Sequence, residues 1–159
     1  MSKRIVILYN EPEPLIDALK HVFDGIENVV CLNNSKELKE DDFVILCGYK
    51  GYEKEALNIH YSLLPAFQTD NPIKDSIIYG AKVTGITIFY NKSKKIIAQY
   101  PVFIDKDDDY LTLTNKLSII AQGIYPIAAK KIYNNEYFDI NALENRCGTG
   151  CGGCKECKS

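Results

Sequence analysis

Asn58–Phe67, NIHYSLLPAF, is the stretch that decides how the chain reads. It sets an amide, Asn58, and an imidazole, His60, two residues apart, so in an extended segment both side chains leave the same face. The apolar pair Leu63 and Leu64, stopped by Pro65, predicts a strand that leaves its sheet and turns sharply. An amide able to hold a carbonyl oxygen, beside an imidazole able to move a proton at a strand's exit, suits acyl transfer.

The segments on either side predict an α/β domain. Lys3–Tyr9, KRIVILY, is a continuous apolar run of the kind buried on both faces of a parallel sheet. Asn10, Pro12 and Pro14 then open a helix whose apolar side carries Leu15, Ile16, Leu19, Val22 and Phe23, and Gly25 ends it. Asn28–Leu32 and Asp42–Cys47 are further strands, separated by a loop or short helical turn at Ser35–Lys39. Beyond the central stretch, Pro72–Tyr79 forms a short helix ending at Gly80. Lys82–Tyr90 and Lys95–Ile104 are rich in β-branched and aromatic residues around the polar turn Asn91–Lys94, which predicts a hairpin with Pro101 at an edge or a bulge. Asp107–Asp109 precede a long amphipathic helix with Leu113, Leu117, Ile120, Ala121, Ile124, Ala128 and Ile132 on one side, bent by Gly123 and Pro126. The expected fold is a mostly parallel open sheet flanked by helices, Rossmann-like, with a late antiparallel hairpin.

Three blocks recur in a fixed order: Asn58, His60 and Ser62 to Pro65; then Val83, Thr84, Gly85 and Thr87; then Ile96, Ile97, Ala98 and Gln99. Their residues and spacing resemble the folate-dependent formyltransferases, among them the glycinamide ribonucleotide, methionyl-tRNA and sugar-amine enzymes. That family reads N-x-H-x-S-L-L-P, then T-G-x-T, then I-I-x-Q, and the resemblance runs from about Asp42 to Tyr133. It implies transfer of a formyl group from 10-formyltetrahydrofolate to a small-molecule amine. Asn58 would stabilise the oxyanion and His60 would act as acid and base. Ser62 and Thr87 are expected to tie turns and ladders rather than to react.

The departures from the family pattern are equally specific. The family places an Asp between the hairpin's first strand and the I-I-x-Q block, whereas IFYNKSKK, between Thr87 and Ile96, is shorter and has no carboxylate. Asp70 or Asp105 replaces it only if folding brings one to His60, and Asn91 or Ser93 supplies no charge. The first loop, Asn10–Pro14, has no glycine with which to cradle a phosphate, so a phosphorylated ribonucleotide is not expected. The Gly48–Leu57 connection is short for the family, and Asn71-Pro72 looks like the sugar-amine branch.

With 159 residues, 46% of them hydrophobic, the chain suits one compact domain, expected over residues 1–140, followed by a cysteine-rich tail over 141–159. Nineteen basic against 21 acidic side chains give a net charge of −2, so no nucleic-acid surface is evident. No stretch approaches the ~20 apolar residues that span a bilayer, and Ile5–Leu8 is short for an export signal. A cytoplasmic protein is expected. Cys31 and Cys47, in apolar runs, are predicted to be buried thiols. Cys147, Cys151, Cys154 and Cys157, in RCGTGCGGCKECKS, have the ligand count of a structural zinc site or an iron-sulfur cluster. The first three match the spacing of radical enzymes that use S-adenosylmethionine, but their barrel is absent. Such short spacings favour a cluster over zinc and leave both open. Two functional readings follow: a formyltransferase, or a degenerate relative whose metal-binding tail serves a binding or sensing role with a protein partner.

Overall fold

A computed structural model describes residues 3–138. Six strands form one sheet: β1 (Ile5–Tyr9), β2 (Val29–Leu32), β3 (Phe43–Cys47), β4 (Leu57–His60), β5 (Val83–Tyr90) and β6 (Ile96–Phe103). Their order is β2-β1-β3-β4-β5-β6. β1 to β4 run parallel, and β4 to β6 pair antiparallel. Ile5 to Leu8 are fully buried, because β1 has a strand on each side and residues packed over both faces.

Three helices, α1 (Pro14–Val22), α2 (Pro72–Tyr79) and α3 (Tyr110–Tyr133), share the main core with Ile5, Ile7, Ile45, Leu57 and Ile59. Pro14 starts α1, where its missing N–H costs nothing, and Gly25 turns the chain back at φ 81°. Asn71 caps α2, accepting the Lys74 N–H at 3.3 Å. Asp109 and Thr112 cap α3 reciprocally, each accepting the other's backbone N–H at 2.8 Å. The aspartate run is therefore a helix start, as expected, and Gly123 and Pro126 both fall inside this single element. The opposite face of the sheet carries a smaller cluster of Leu8, Val44, Leu46 and Ala56, covered by Leu38, Tyr49 and Tyr52.

The junction between β3 and β4 positions the site. Ile45 is level with Leu57, so β4 begins about 7 Å below the end of β3 at roughly 3.3 Å per residue. The short Gly48–Ala56 connection covers that distance without a helix. The buried Tyr125 hydroxyl of α3 lies 2.8 Å from the Leu46 carbonyl and 3.0 Å from the Leu57 carbonyl, and donates its one hydrogen between them. It thereby ties the two strands where their ladder is thinnest.

Two expectations change, and a third is not reached by the described residues. The strand through the central stretch ends at His60, and Leu63 and Leu64 belong to the turn instead. The reason is packing: the Leu64 N–H is taken by a side chain of β5 rather than by a ladder. Cys47 is buried, but Cys31 is only half-buried on the outer strand β2. The cysteine tail and the proposed boundary at residue 140 lie outside the described residues. Among the described residues, no helix is long and apolar enough to cross a membrane, and no group of His, Cys, Asp and Glu side chains is placed to hold a metal.

Candidate active site

The loop after β4 is fixed by side chains from the two strands of the hairpin. Thr87 Oγ1 donates to the Ser62 carbonyl at 2.7 Å and accepts the Leu64 N–H at 3.0 Å. Gln99, opposite Thr87 on β6, donates from Nε2 to the Leu64 carbonyl at 2.8 Å and to Thr87 Oγ1 at 3.2 Å. Ser62 Oγ closes the turn on the Ala66 carbonyl at 2.6 Å. Leu63 lies on Gly85, where a Cβ would come within 2.7 Å of its Cδ2 and 2.1 Å of the Tyr100 carbonyl oxygen. The three sequence blocks thus meet around one turn, and Ser62 and Thr87 have the tying role expected of them.

That turn orients His60. Phe67 stands at φ 51°, a left-handed conformation that costs a non-glycine residue roughly 1–2 kcal/mol. Its ring is anchored edge-on against Tyr79 of α2, 5.9 Å between centroids. In this pose the Phe67 carbonyl accepts the Thr69 N–H at 2.8 Å and lies 2.9 Å from His60 Nε2. A carbonyl only accepts, so Nε2 carries the proton and Nδ1 has its lone pair open. His60 lines a cleft of about 800 Å³ with Leu64, Pro65, Phe89, Lys94 and Ile96, closed on the loop side by Gln68, Thr69 and Asp70.

Asn58 projects from the same face of β4 as His60, as the spacing predicts, while Leu57 and Ile59 point into the core. Its Oδ1 accepts the Ile59 N–H at 2.8 Å and one N–H of its amide donates to Asn91 Oδ1 at 3.3 Å. Asn58 stands abreast of Phe89 rather than on the cleft wall. Its second amide N–H has no protein partner among the described residues.

Neither candidate for the absent carboxylate takes its place. Asp70 lines the cleft, but its Oδ1 lies 3.5 Å from Lys50 Nζ, and Asp105 pairs with Lys116 at 2.8 Å. Among the described residues, no carboxylate forms a hydrogen bond or ion pair with His60. Asn91 fills the nearby space without charge: it accepts from Asn58 and donates to the Tyr52 carbonyl.

The crevice between β1 and β3 is where such a sheet reverses its winding and where ligands usually enter. Here Cys47 donates its thiol to Glu13 Oε1 at 3.0 Å. Burial, then this carboxylate, pushes the Cys47 thiol well above its usual range. Burial pushes the Tyr61 phenol up as well, with Glu13 adding to the effect. The Glu13–Cys47 pair, the Phe67 carbonyl and Lys94 were not visible as site groups in the sequence. Only the absence of glycine from Asn10–Pro14 hinted at the first.

Comparison with known proteins agrees with this geometry. Residues 42–128 match the family model described as formyl transferase. A methionyl-tRNA formyltransferase of Prochlorococcus marinus is 30% identical over 129 residues, covering 74% of this chain and 39% of that protein. The one from Lactiplantibacillus plantarum is 40% identical over 73 residues, 43% of this chain and 23% of that protein. The chain therefore spans well under half the length of these relatives. Among solved structures, phosphoribosylglycinamide formyltransferase from Bacillus halodurans superposes with a TM-score of 0.67 at 29% identity, covering 86% of this chain and 100% of that one. Glycinamide ribonucleotide transformylase 1 from Geobacillus kaustophilus, at 20% identity and a TM-score of 0.69 over 84% of this chain and 100% of that one, shares the fold. With the family match covering more than half of its residues and three motif blocks gathered at one cleft, this chain belongs to the formyl transferase family.

Proposed function

We propose that this domain moves a formyl group from 10-formyltetrahydrofolate to an amine, using the cleft beside His60. The observation that carries the reading is the convergence of all three blocks on the turn that fixes the His60 ring. The cleft suits the donor: its volume of about 800 Å³ falls within the roughly 300–1,000 Å³ of small-molecule sites. Phe89, Leu64, Pro65 and Ile96 offer apolar walls to a flat ring. Bound there, the donor supplies a formyl carbon open to attack by an amine.

The chain's own groups divide the work. The Asn58 amide, on His60's face of β4 but beside the cleft wall, offers its uncommitted N–H to an oxygen that gains charge at the edge of the cleft next to Phe89. As the amine nitrogen bonds to the formyl carbon, His60 Nδ1 takes the proton it gives up, while Nε2–H stays on the Phe67 carbonyl. Nδ1 returns that proton to the donor nitrogen as the bond from that nitrogen to the formyl carbon breaks. That carbonyl orients the ring as a carboxylate would, but it does not balance an imidazolium's charge. Loss of such an anion typically costs orders of magnitude in rate, so we expect slow transfer. The amine carries no phosphate, since the Glu13 carboxylate stands at the β1/β3 crevice where an anion would enter. A cytoplasmic setting fits this chemistry. For the tail we propose that Cys147, Cys151, Cys154 and Cys157 hold an iron-sulfur cluster or zinc, through which a partner protein would engage. A brown, anaerobically purified protein indicates the cluster, and stoichiometric zinc in a colourless one rejects it.

The direct test is formyl transfer to a panel of unphosphorylated amines. Wild type should give slow, saturable turnover, and His60→Ala should lower kcat about 100-fold or more with its far-UV spectrum unchanged. Equal rates in the two proteins would remove His60 from the reaction.

A further inference from the structure

We infer that Lys94 recognises an anionic group on the molecule held in the His60 cleft, and that this group is the glutamyl carboxylate of the reduced-folate donor. The inference rests on the transferase reading above and assigns one of its specificity-determining residues. Lys94 ends the β5–β6 turn at φ 60°, a conformation that glycine or asparagine adopts more easily than lysine. Main-chain bonds enforce that pose: the Lys94 N–H donates to the Tyr90 carbonyl, and the Tyr90 N–H to the Lys95 carbonyl, both at 2.9 Å. A strained residue where an easier one would serve directs attention to its side chain.

The Lys94 side chain lies over the cleft. Its Nζ is 5.7 Å from the centroid of the Phe89 ring, on the aromatic wall abreast of Asn58. The other charged side chain lining the cleft, Asp70, is directed to Lys50. Lys94 has no ion pair among the described residues, and it is exposed, so a charged, solvated group borders a cleft whose apolar surface comes from Leu64, Pro65, Phe89 and Ile96. An apolar surface bordered by one uncommitted, solvent-exposed cation fits a flat ring that carries a carboxylate on its solvent-facing end.

The test is calorimetric titration at low and high salt with tetrahydropteroate, which lacks glutamate, and with tetrahydrofolate, which carries it. The proteins are wild type, Lys94→Asn, which tolerates the left-handed backbone without the charge, and Lys94→Arg, which keeps the charge. Wild type and Lys94→Arg should bind tetrahydrofolate about threefold to fivefold more tightly at low salt, with the ratio shrinking as ionic strength rises. Lys94→Asn should bind both alike at either salt. Equal affinities in wild type, or discrimination that survives in Lys94→Asn, would overturn the inference and leave the transferase reading standing. Absence of saturable binding by either compound in wild type overturns both.

Discussion

The two loops that border the cleft are fixed in opposite ways. Tyr61–Asp70 is held from outside, by Thr87 and Gln99 reaching across from β5 and β6 and by Gly85 making room for Leu63. Asn91–Lys94 is held by its own ladder and by the short connection before β4. Glu55 Oε1 accepts the N–H groups of Lys92 at 3.0 Å and Ser93 at 3.3 Å, and the Asn91 N–H donates to the Ala56 carbonyl at 2.8 Å. In the first loop each tying residue does a job that few side chains can do: Ser62 closes the turn, Thr87 and Gln99 hold its backbone, and Gly85 admits Leu63. The second is braced by main-chain and carboxylate bonds between it and the segment before β4. His60 is oriented from the first loop, by Phe67, while Asn58 is oriented toward the second, by Asn91.

If the first loop depends on outside support, substitutions on β5 should damage it most. Gly85→Ala sets a methyl group against the Tyr100 carbonyl and Leu63, and we expect a loss of about 3 kcal/mol, read as a lower urea midpoint. Thr87→Val keeps the shape but strands the Leu64 N–H and loosens Gln99. A loss of about 2 kcal/mol should follow, with faster amide exchange at Leu64 and Ala66 but not at Lys92 or Ser93.

The reciprocal change is smaller. Glu55→Ala frees two exposed N–H groups and should cost about 0.5 kcal/mol, with faster exchange confined to Lys92 and Ser93. Exchange that spreads to the first loop would break the contrast between the two. Acid should act in the same direction. Burial alone raises the Glu55 carboxyl, but the bonds from Ser93 and Lys92 outweigh it and hold it below its ordinary value. Its stabilising contribution is therefore complete above the unfolded carboxyl's pKa and is lost as pH falls through the lower folded value. The Lys92 and Ser93 amides should lose protection over that acidic window while Leu64 keeps its own.

Much of this was legible in the sequence, for identifiable reasons. The IVIL run of β1, the proline that opens α1 and the β-branched strands around Asn91–Lys94 are local signals, and each formed the element it predicted. The alternation of Leu57 and Ile59 with Asn58 and His60 gave the shared face of the two candidate residues. The turn after His60 was not legible, since Leu63 and Leu64 look like strand until Gly85 is known to lie beneath one and Thr87 beside the other. Phe67 and Lys94 at positive φ carry no local mark, because tertiary contacts and main-chain bonds impose those conformations. That no carboxylate among the described residues bonds to His60 accords with the carboxylate-free IFYNKSKK segment. That a backbone carbonyl orients the ring instead was not legible there.

The most direct measurement is the ¹⁵N spectrum of the His60 ring while a stable analogue of 10-formyltetrahydrofolate is titrated in. The free protein should show the Nε2–H tautomer, and saturating analogue should shift Nδ1 while Nε2 stays protonated on the Phe67 carbonyl. A ring protonated at Nδ1, or saturable binding that leaves both nitrogen resonances unmoved, would contradict a formyl-transfer site built on His60.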